Sequence, residues 1–252
     1  MSTSHPQIDW KIDWNVHHSR GDAAEFHGRQ IPDDLEPSVW WFEVDRPAIV
    51  LGSAQPLEHL DLVACERARV EVVRRRSGGG AVLVAPGDVV WVDVLIPTTH
   101  HQWTNDVTSS AWWLGEVWRR TLVDLGVAHG EVHVGSMVTT PWSSRVCFAG
   151  IGGGEVVTKE VVTMEVVTKA AGASTAATST AATSKIVGIS QRRTRAAARF
   201  QCALYRHWRP IETSALFAKP IPPSSELDNA VTTVDADDAS IELAFLNQLR
   251  QG

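Results

Sequence analysis

The sequence is short of cysteine and tyrosine, and it has no long apolar run. Three widely spaced cysteines, an odd number, exclude a disulfide scaffold and suit a reducing compartment. No apolar run reaches the length of a membrane span. The start, MSTSHPQIDWKIDW, lacks the basic-then-apolar pattern of a secretory signal, so the expected location is the cytoplasm. Against one tyrosine stand eleven tryptophans, read as packing in the core and in cleft walls. With 252 residues, 44% apolar and 21% charged, the chain can bury a sizeable core, which excludes disorder over most of its length.

Charge of one sign is missing locally. Lys185 to Pro210 holds seven basic residues and no acid, while the whole chain carries −6. A basic patch on an acidic protein argues against general nucleic-acid binding. It suits one anionic ligand or an acidic partner surface, or else a solvated arginine-rich face.

Residues 1–36 are polar, with a short helix expected over Asp22–Gln30. Strands are expected at Val39–Val44 and Ala48–Leu51 around a turn at Asp45–Pro47, and at Val70–Arg74, Ala81–Val84 and Val90–Ile96. Further strands are expected near Val132–Val134, Val146–Ala149, Lys185–Ser190 and Arg199–Tyr205. Helices are expected over Pro56–Arg69, over Asn105–Leu125 with Asn105 as cap and Gly126 as stop, and over Ala239–Arg250. Strands and helices mix without strict alternation, which favours an α+β fold with mixed sheets in a single domain, 1–252.

Residues 155–184 divide into six five-residue blocks, EVVTK, EVVTM, EVVTK, AAGAS, TAATS and TAATS. A period of five matches neither strand nor helix and is too short for a solenoid unit. The expectation is a tandem expansion inside a hairpin loop, partly ordered and functionally neutral; the other reading is a substrate lid.

Three constellations carry chemistry. In Arg74-Arg75-Arg76-Ser77-Gly78-Gly79-Gly80-Ala81 a strand enters a glycine triplet. Glycines let the backbone approach a ligand, and the arginines suit a phosphate or carboxylate. No Gly-Lys-Ser/Thr and no opening helix follows, so this is neither a P-loop nor a dinucleotide fingerprint. In Lys185-Ile186-Val187-Gly188-Ile189-Ser190 a lysine opens an apolar strand. Cys147-Phe148 precedes Glu155 by eight residues from the cysteine. That cysteine is either buried and inert or, if it meets a lysine ammonium, nucleophilic. No residue set is assigned to a metal.

RRRSGGGAV, preceded by AIVLGSAQ and followed by KIVGISQR, resembles the biotin/lipoate protein ligase catalytic domain, in its lipoate–protein ligase A and octanoyltransferase branch. The resemblance spans about Val39 to Tyr205 and implies a largely antiparallel sheet fold flanked by helices. It implies that Arg75, Ser77, Gly78, Gly79, Gly80 and Ala81 cradle the acyl group. Lys185, with Gly188 on the same strand, contacts the acyl carbonyl, and Gly52–Gln55 faces the same pocket. It also implies an acyl-group substrate, lipoate or octanoate, and a carrier lysine on the lipoyl domain of a 2-oxoacid dehydrogenase subunit or on the glycine-cleavage H protein. Val84-Ala85 and Cys202-Ala203 stand where the family usually has histidines. Two mechanisms stay open. A ligase would use ATP and Mg²⁺ to form an acyl-adenylate. A transferase would take the acyl group from acyl carrier protein onto Cys147 and need no nucleotide. A non-catalytic acyl binder is the third reading.

Overall fold

Asp88 ends the turn after Pro86-Gly87, and the apolar run that follows has strand neighbours on both sides, so Val90 to Ile96 are all buried. A run buried on both faces needs no polar alternation. The structure, a computed structural model, describes residues 13–127, 129–164 and 178–251. In chain order its elements are β1 (Asn15–Gly21), α1 (Ala23–Gly28), β2 (Ser38–Val44), β3 (Ala48–Leu51), α2 (Leu62–Arg67), β4 (Glu71–Arg74), β5 (Val82–Val84) and β6 (Val89–Pro97). Then come α3 (Trp112–Asp124), β7 (Gly130–Val132), β8 (Val156–Met164), β9 (Thr178–Arg193), β10 (Ala197–Tyr205), α4 (Pro210–Ala215), α5 (Ser224–Asp228) and α6 (Asp238–Leu249).

The fold is α+β. A seven-stranded sheet has the order β1-β2-β6-β10-β9-β8-β7, and a three-stranded sheet has the order β4-β3-β5. In the large sheet only β1–β2 is parallel. In the small one β3 pairs parallel with β4 and antiparallel with β5. Leu114, Val117, Trp118 and Leu122 of α3 join Ile241, Phe245 and Leu249 of α6 over one face of the large sheet. On the other side Phe26 of α1 and Val50, Val73 and Val84 of the small sheet pack with Trp40, Phe42, Trp91 and Leu95. The candidate site lies on this second side.

The two strands expected around Asp45–Pro47 are present, and the chain between them passes from the large sheet to the small one. Several expectations are corrected. The helix expected over Pro56–Arg69 splits into a 3-10 turn, Leu57–His59, and α2, because the Asp61 side chain caps the Ala64 amide at 3.0 Å and starts a new helix. The helix expected from Asn105 begins only at Trp112. Asp106 instead accepts from Thr108 N at 2.9 Å and Ser109 Oγ at 2.6 Å, which holds the preceding stretch in turns. Gly126, at φ +77°, does end it. Val146–Ala149 is not a strand. Cys147–Ala149 is a 3-10 turn, preceded by the Ala81–Val146 bridge. β1, α4 and α5 were not expected.

The repeat segment forms the β8–β9 hairpin, paired from Val156 and Val187 out to Met164 and Thr178. Residues 165–177 lie outside the described residues. The base of the hairpin is core: Val156 and Val157 are buried, and the Ser184 hydroxyl lies 2.6 Å from that of Thr158 and 2.5 Å from that of Thr232. Any dispensable insertion therefore begins beyond Thr158, not at Glu155.

Candidate active site

The glycine loop is built by the arginine beside it. Arg75 is buried and turns inward, donating to the carbonyls of Gly78 at 2.7 Å, Gly80 at 2.9 Å and Val50 at 3.3 Å. Gly79 has φ +96°, where an L side chain is strained. A Cβ on Gly52 would sit 1.9 Å from the Gly79 carbonyl, and one on Gly80 would sit 2.8 Å from the Cys147 amide. The three backbones touch, so these glycines are required by contact. Ser77 ties the loop to the large sheet. Its hydroxyl lies 3.0 Å from that of Ser190 and donates to Gln201 Oε1 at 3.1 Å. Ala81 N donates to Arg145 O at 2.7 Å, and Cys147 N donates to Ala81 O at 2.9 Å.

The three consecutive arginines divide their work. Arg74 donates to the carbonyls of Gly52 at 2.8 Å and Gln55 at 2.6 Å, and so fixes the Gly52–Gln55 turn. Arg75 holds the glycine loop. Arg76 is exposed and, among the described residues, its side chain reaches only Gln30, at 3.5 Å. Near it stands Arg192, which has no hydrogen-bond or ion-pair partner among the described residues. Burial, then Arg76 and Arg199, push its guanidinium below the ordinary arginine range.

An apolar cavity of about 50 Å³ opens beside this loop. Val50, Val84, Trp91, Phe148 and Cys202 form much of its wall, with Arg75, Cys147, Gly188, Ser190, Gln201 and His27 as further lining. The sites expected at Arg75, Cys147 and Gly188 thus come together. Gly188 is needed there, since a Cβ would meet the Phe148 ring at 3.1 Å.

Lys185 stands apart from that cavity. Its side chain is 1% exposed, and its Nζ donates to Glu155 Oε2 at 2.7 Å and to the Cys147 carbonyl at 2.9 Å. It lines a second cavity of about 270 Å³, shared with Phe148, Trp142, Thr140 and Asn229. Phe148 belongs to both cavities, and its ring centroid lies 5.1 Å from the ammonium. The expected meeting of ammonium and thiol is corrected here: Lys185 addresses the Cys147 carbonyl, and the cation at the sulfur is Arg75, with Nη2 3.8 Å from Sγ. The reason is Glu155, which also accepts from Gly152 N at 2.6 Å and Ile189 N at 3.2 Å and draws the ammonium to its side.

Residues the sequence reading missed line the same cavity. His27 of α1 stacks on Trp91 with centroids 4.4 Å apart. Burial, followed by the charges of Arg199 and Arg75, lowers its pKa to about 3. Gln201 stands opposite Asp93 in the β10–β6 register. Asp93 accepts from Arg199 Nε at 2.5 Å and from Trp91 Nε1 at 2.8 Å. Burial pushes the Asp93 carboxyl up, against the pull of Arg199. A signal existed: Asp93, Arg199 and Gln201 are polar residues inside otherwise apolar strands, and a buried polar group needs a partner.

A glycine-rich turn beside a small apolar cavity, with arginines at its edge, is the kind of site that takes an apolar group with a negatively charged end. The chain matches the model of the lipoyl protein ligase A/B catalytic domain over residues 23–209 and belongs to that family. The family is one of acyl transfer and ligation, and the ligase-like fold is the expected one. The structure is similar to the bipartite lipoate protein ligase of an archaeal lipoylation system from Thermoplasma acidophilum, with TM-score 0.64, 16% identity, and 95% of this chain and 83% of that chain covered. It is also similar to a lipoate-protein ligase A bound with ATP, with TM-score 0.63, 17% identity, and 95% and 85% coverage. A third similar structure is a T. acidophilum lipoate protein ligase with bound lipoic acid, with TM-score 0.62, 16% identity, and 94% and 84% coverage. Comparison with curated protein sequences finds no match. Among the described residues, no helix is long and apolar enough to cross a membrane.

Proposed function

We propose that the chain is a lipoate–protein ligase that uses ATP to attach a lipoyl or octanoyl group to a lysine of a lipoyl carrier domain. The observation that carries the reading is the pair Arg76 and Arg192. Among the described residues neither forms an ion pair with a carboxylate, Arg76 is exposed two residues before Gly78, and Arg192 stands within electrostatic reach of Arg76. Two guanidiniums that meet no carboxylate among the described residues, together with glycine amides, suit a phosphate, and a neutral thioester would leave that charge unanswered. Similar ligases bound with ATP and with lipoic acid support the same substrates here, and a similar ligase studied with its E2 lipoyl domain supports that carrier class.

In this reading the acid lies in the apolar slot with its carboxyl outward, toward the glycine loop. The carboxylate attacks the α-phosphorus of ATP, giving acyl-adenylate and pyrophosphate. The carrier amine then attacks the carbonyl, giving the amide and AMP. In this reading Lys185, whose Nζ holds the Cys147 carbonyl next to the slot, stabilises the oxyanion of that second step. Among the described residues no cluster of three or more acidic, histidine or cysteine side chains is arranged to hold a metal. Mg²⁺ would then enter on the nucleotide phosphates.

A second reading rests on Cys147, whose sulfur lines the slot beside Arg75. As an octanoyltransferase the chain would take the acyl group from acyl carrier protein as a Cys147 thioester, releasing the carrier thiol, and pass it to the lysine. Incubation with labelled lipoate or octanoate and a lipoyl domain separates the readings. Transfer that depends on ATP upholds the ligase. Transfer only from octanoyl–acyl carrier protein upholds the transferase, and no transfer from either source leaves an acyl binder.

A further inference from the structure

Glu155 enters none of the steps above, yet it stands where the slot wall and the lysine meet. It follows a second glycine triplet, Gly152-Gly153-Gly154. This loop is pressed onto α3, since a Cβ on Gly115 would sit 2.1 Å from the Gly154 carbonyl. Gly154 N donates to His133 O at 2.7 Å, and His133 N donates to Glu155 O at 2.9 Å. The backbone that carries Glu155 is thus held from two sides. The side chain is buried, and a Cβ on Gly188, which lines the slot, would lie 3.6 Å from Glu155 Oε1.

Every hydrogen-bond neighbour of this carboxylate among the described residues is a donor. Gly152 N, at 2.6 Å, and Lys185 Nζ, at 2.7 Å, share Oε2, and Ile189 N donates to Oε1 at 3.2 Å. An amide of the same shape would turn its NH₂ toward one of these donors, so the place suits an ionised carboxylate. Lys185 shows the converse. Both groups that its Nζ meets, Glu155 Oε2 and the Cys147 carbonyl, are acceptors. A neutral amine there would leave the buried Glu155 charge unpaired. Lys185 is therefore a fixed positive charge and not a base.

We infer that Glu155 is a positioning residue for acyl transfer: it keeps Lys185 an ammonium and sets where that charge stands. An ammonium has three N–H bonds. Glu155 and the Cys147 carbonyl take two of those on Lys185, and the third has no acceptor among the described residues. That N–H is the one left for the oxyanion of amide formation, where a donor fixed in advance acts most strongly. With the Cys147 carbonyl as its only anchor the lysine stem would swing; the charged second anchor removes that freedom. The inference rests on the acyl-transfer reading of the site and adds how its lysine is kept charged and aimed.

The test compares Glu155→Gln and Glu155→Asp in the full chain, with a lipoyl domain as acceptor, below the melting temperature of each variant. Glu155→Gln matches the size and lacks the charge, whereas Glu155→Asp keeps the charge at shorter reach. In Glu155→Gln the kcat of amide formation is expected to fall about tenfold to a hundredfold, less than deleting the donor itself typically costs. The KM for the carrier domain should stay within about twofold, because the lost interaction is one made in the transition state. Glu155→Asp should retain more activity than Glu155→Gln, whereas a role in packing alone gives the reverse order. Wild-type activity in Glu155→Gln, or more of it than in Glu155→Asp, overturns the assignment while leaving the functional reading intact. Absence of transfer by wild type overturns that reading and the positioning role with it. Nitrogen-15 NMR of the wild-type lysine side chains supplies a check that needs no Glu155 variant. Lys185 is expected as an ammonium at about pH 8, and a neutral amine there would overturn the assignment even if neither variant folds.

Discussion

Lys185 and Glu155 form a 2.7 Å ion pair in which both side chains are buried, and they stand at the two ends of the segment that carries the five-residue repeats. The repeat hairpin therefore closes on a charge pair beside the candidate site. Removing one partner strands the other charge out of water, which typically costs about 3–5 kcal/mol. Lys185→Ala is thus expected to abolish transfer and also to lower the melting temperature by about 10 °C. Lys185→Met combined with Glu155→Gln should recover much of that stability while transfer stays absent, and Lys185→Arg should not restore it, because a planar fork does not reproduce a compact ammonium. Thermal melts beside the transfer assay check this. Near-normal activity of the alanine variant would remove Lys185 from the mechanism.

The two guanidiniums without a carboxylate partner among the described residues give a second prediction. Arg76→Ala and Arg192→Ala should each raise the KM for ATP about tenfold, the loss of one charged hydrogen bond to phosphate. The melting temperature should hold, since the only hydrogen bond either makes among the described residues is the 3.5 Å contact to Gln30. Steady-state kinetics with varied ATP reads the effect. An unchanged KM would weaken the ligase reading in favour of the transferase.

The cysteines differ in access. Cys65 and Cys202 are buried, and burial pushes both thiols above their ordinary range, whereas Cys147 is half-buried in the slot wall. Iodoacetamide near pH 8 should label Cys147 ahead of the other two, and a bound acyl substrate should protect it. Mass spectrometry of digested protein locates the label. Cys147→Ser should keep ATP-dependent transfer if the ligase reading holds and lose all transfer if the thioester route is used.

Deleting residues 160–182 and joining Lys159 to Thr183 through an Asn-Gly turn should leave the melting temperature nearly unchanged, because those two residues already face each other across the hairpin. Deleting 156–184 should unfold the protein at ordinary temperatures, since it removes buried Val156 and Val157, which should cost about 1.5–3 kcal/mol apiece. Equal melting of the two deletions would contradict the placement of the boundary.

Two buried imidazoles make stability depend on acid. Burial lowers His27 to a pKa of about 3 and His100 to about 4, against an ordinary 6.5. The unfolded chain takes up protons that the folded rings refuse, so stability should fall as pH drops from about 6.5 to about 4. His27→Gln should flatten that fall. Melting curves across this range measure it, and identical slopes in wild type and variant would show that His27 is not the group responsible.

Much of this protein is set locally. The apolar run Val90–Ile96 makes a strand wherever it is placed, because only a position with neighbours on both sides buries it. Gly78-Gly79-Gly80 after three arginines announces a turn that something approaches closely, and the structure requires glycine at Gly79 for its positive φ and at Gly80 for its contact with Cys147. The amphipathic stretch Ala239–Arg250 announces α6, and the structure adds its cap, Asp237. What tertiary structure decided is which partner each group meets. Nothing local says that Arg75 turns in to build the loop while Arg76 stays out, or that β2 and β3 part into different sheets. Glu155 and Lys185 lie 30 positions apart, and only the β8–β9 pairing brings them together. His27 reaches the slot from a helix more than a hundred residues before Cys147. Backbone preference acts over a few residues, but burial of charge and choice of hydrogen-bond partner depend on what the folded chain packs alongside, so the sequence alone could name the glycine loop and the lysine but not the groups that hold them.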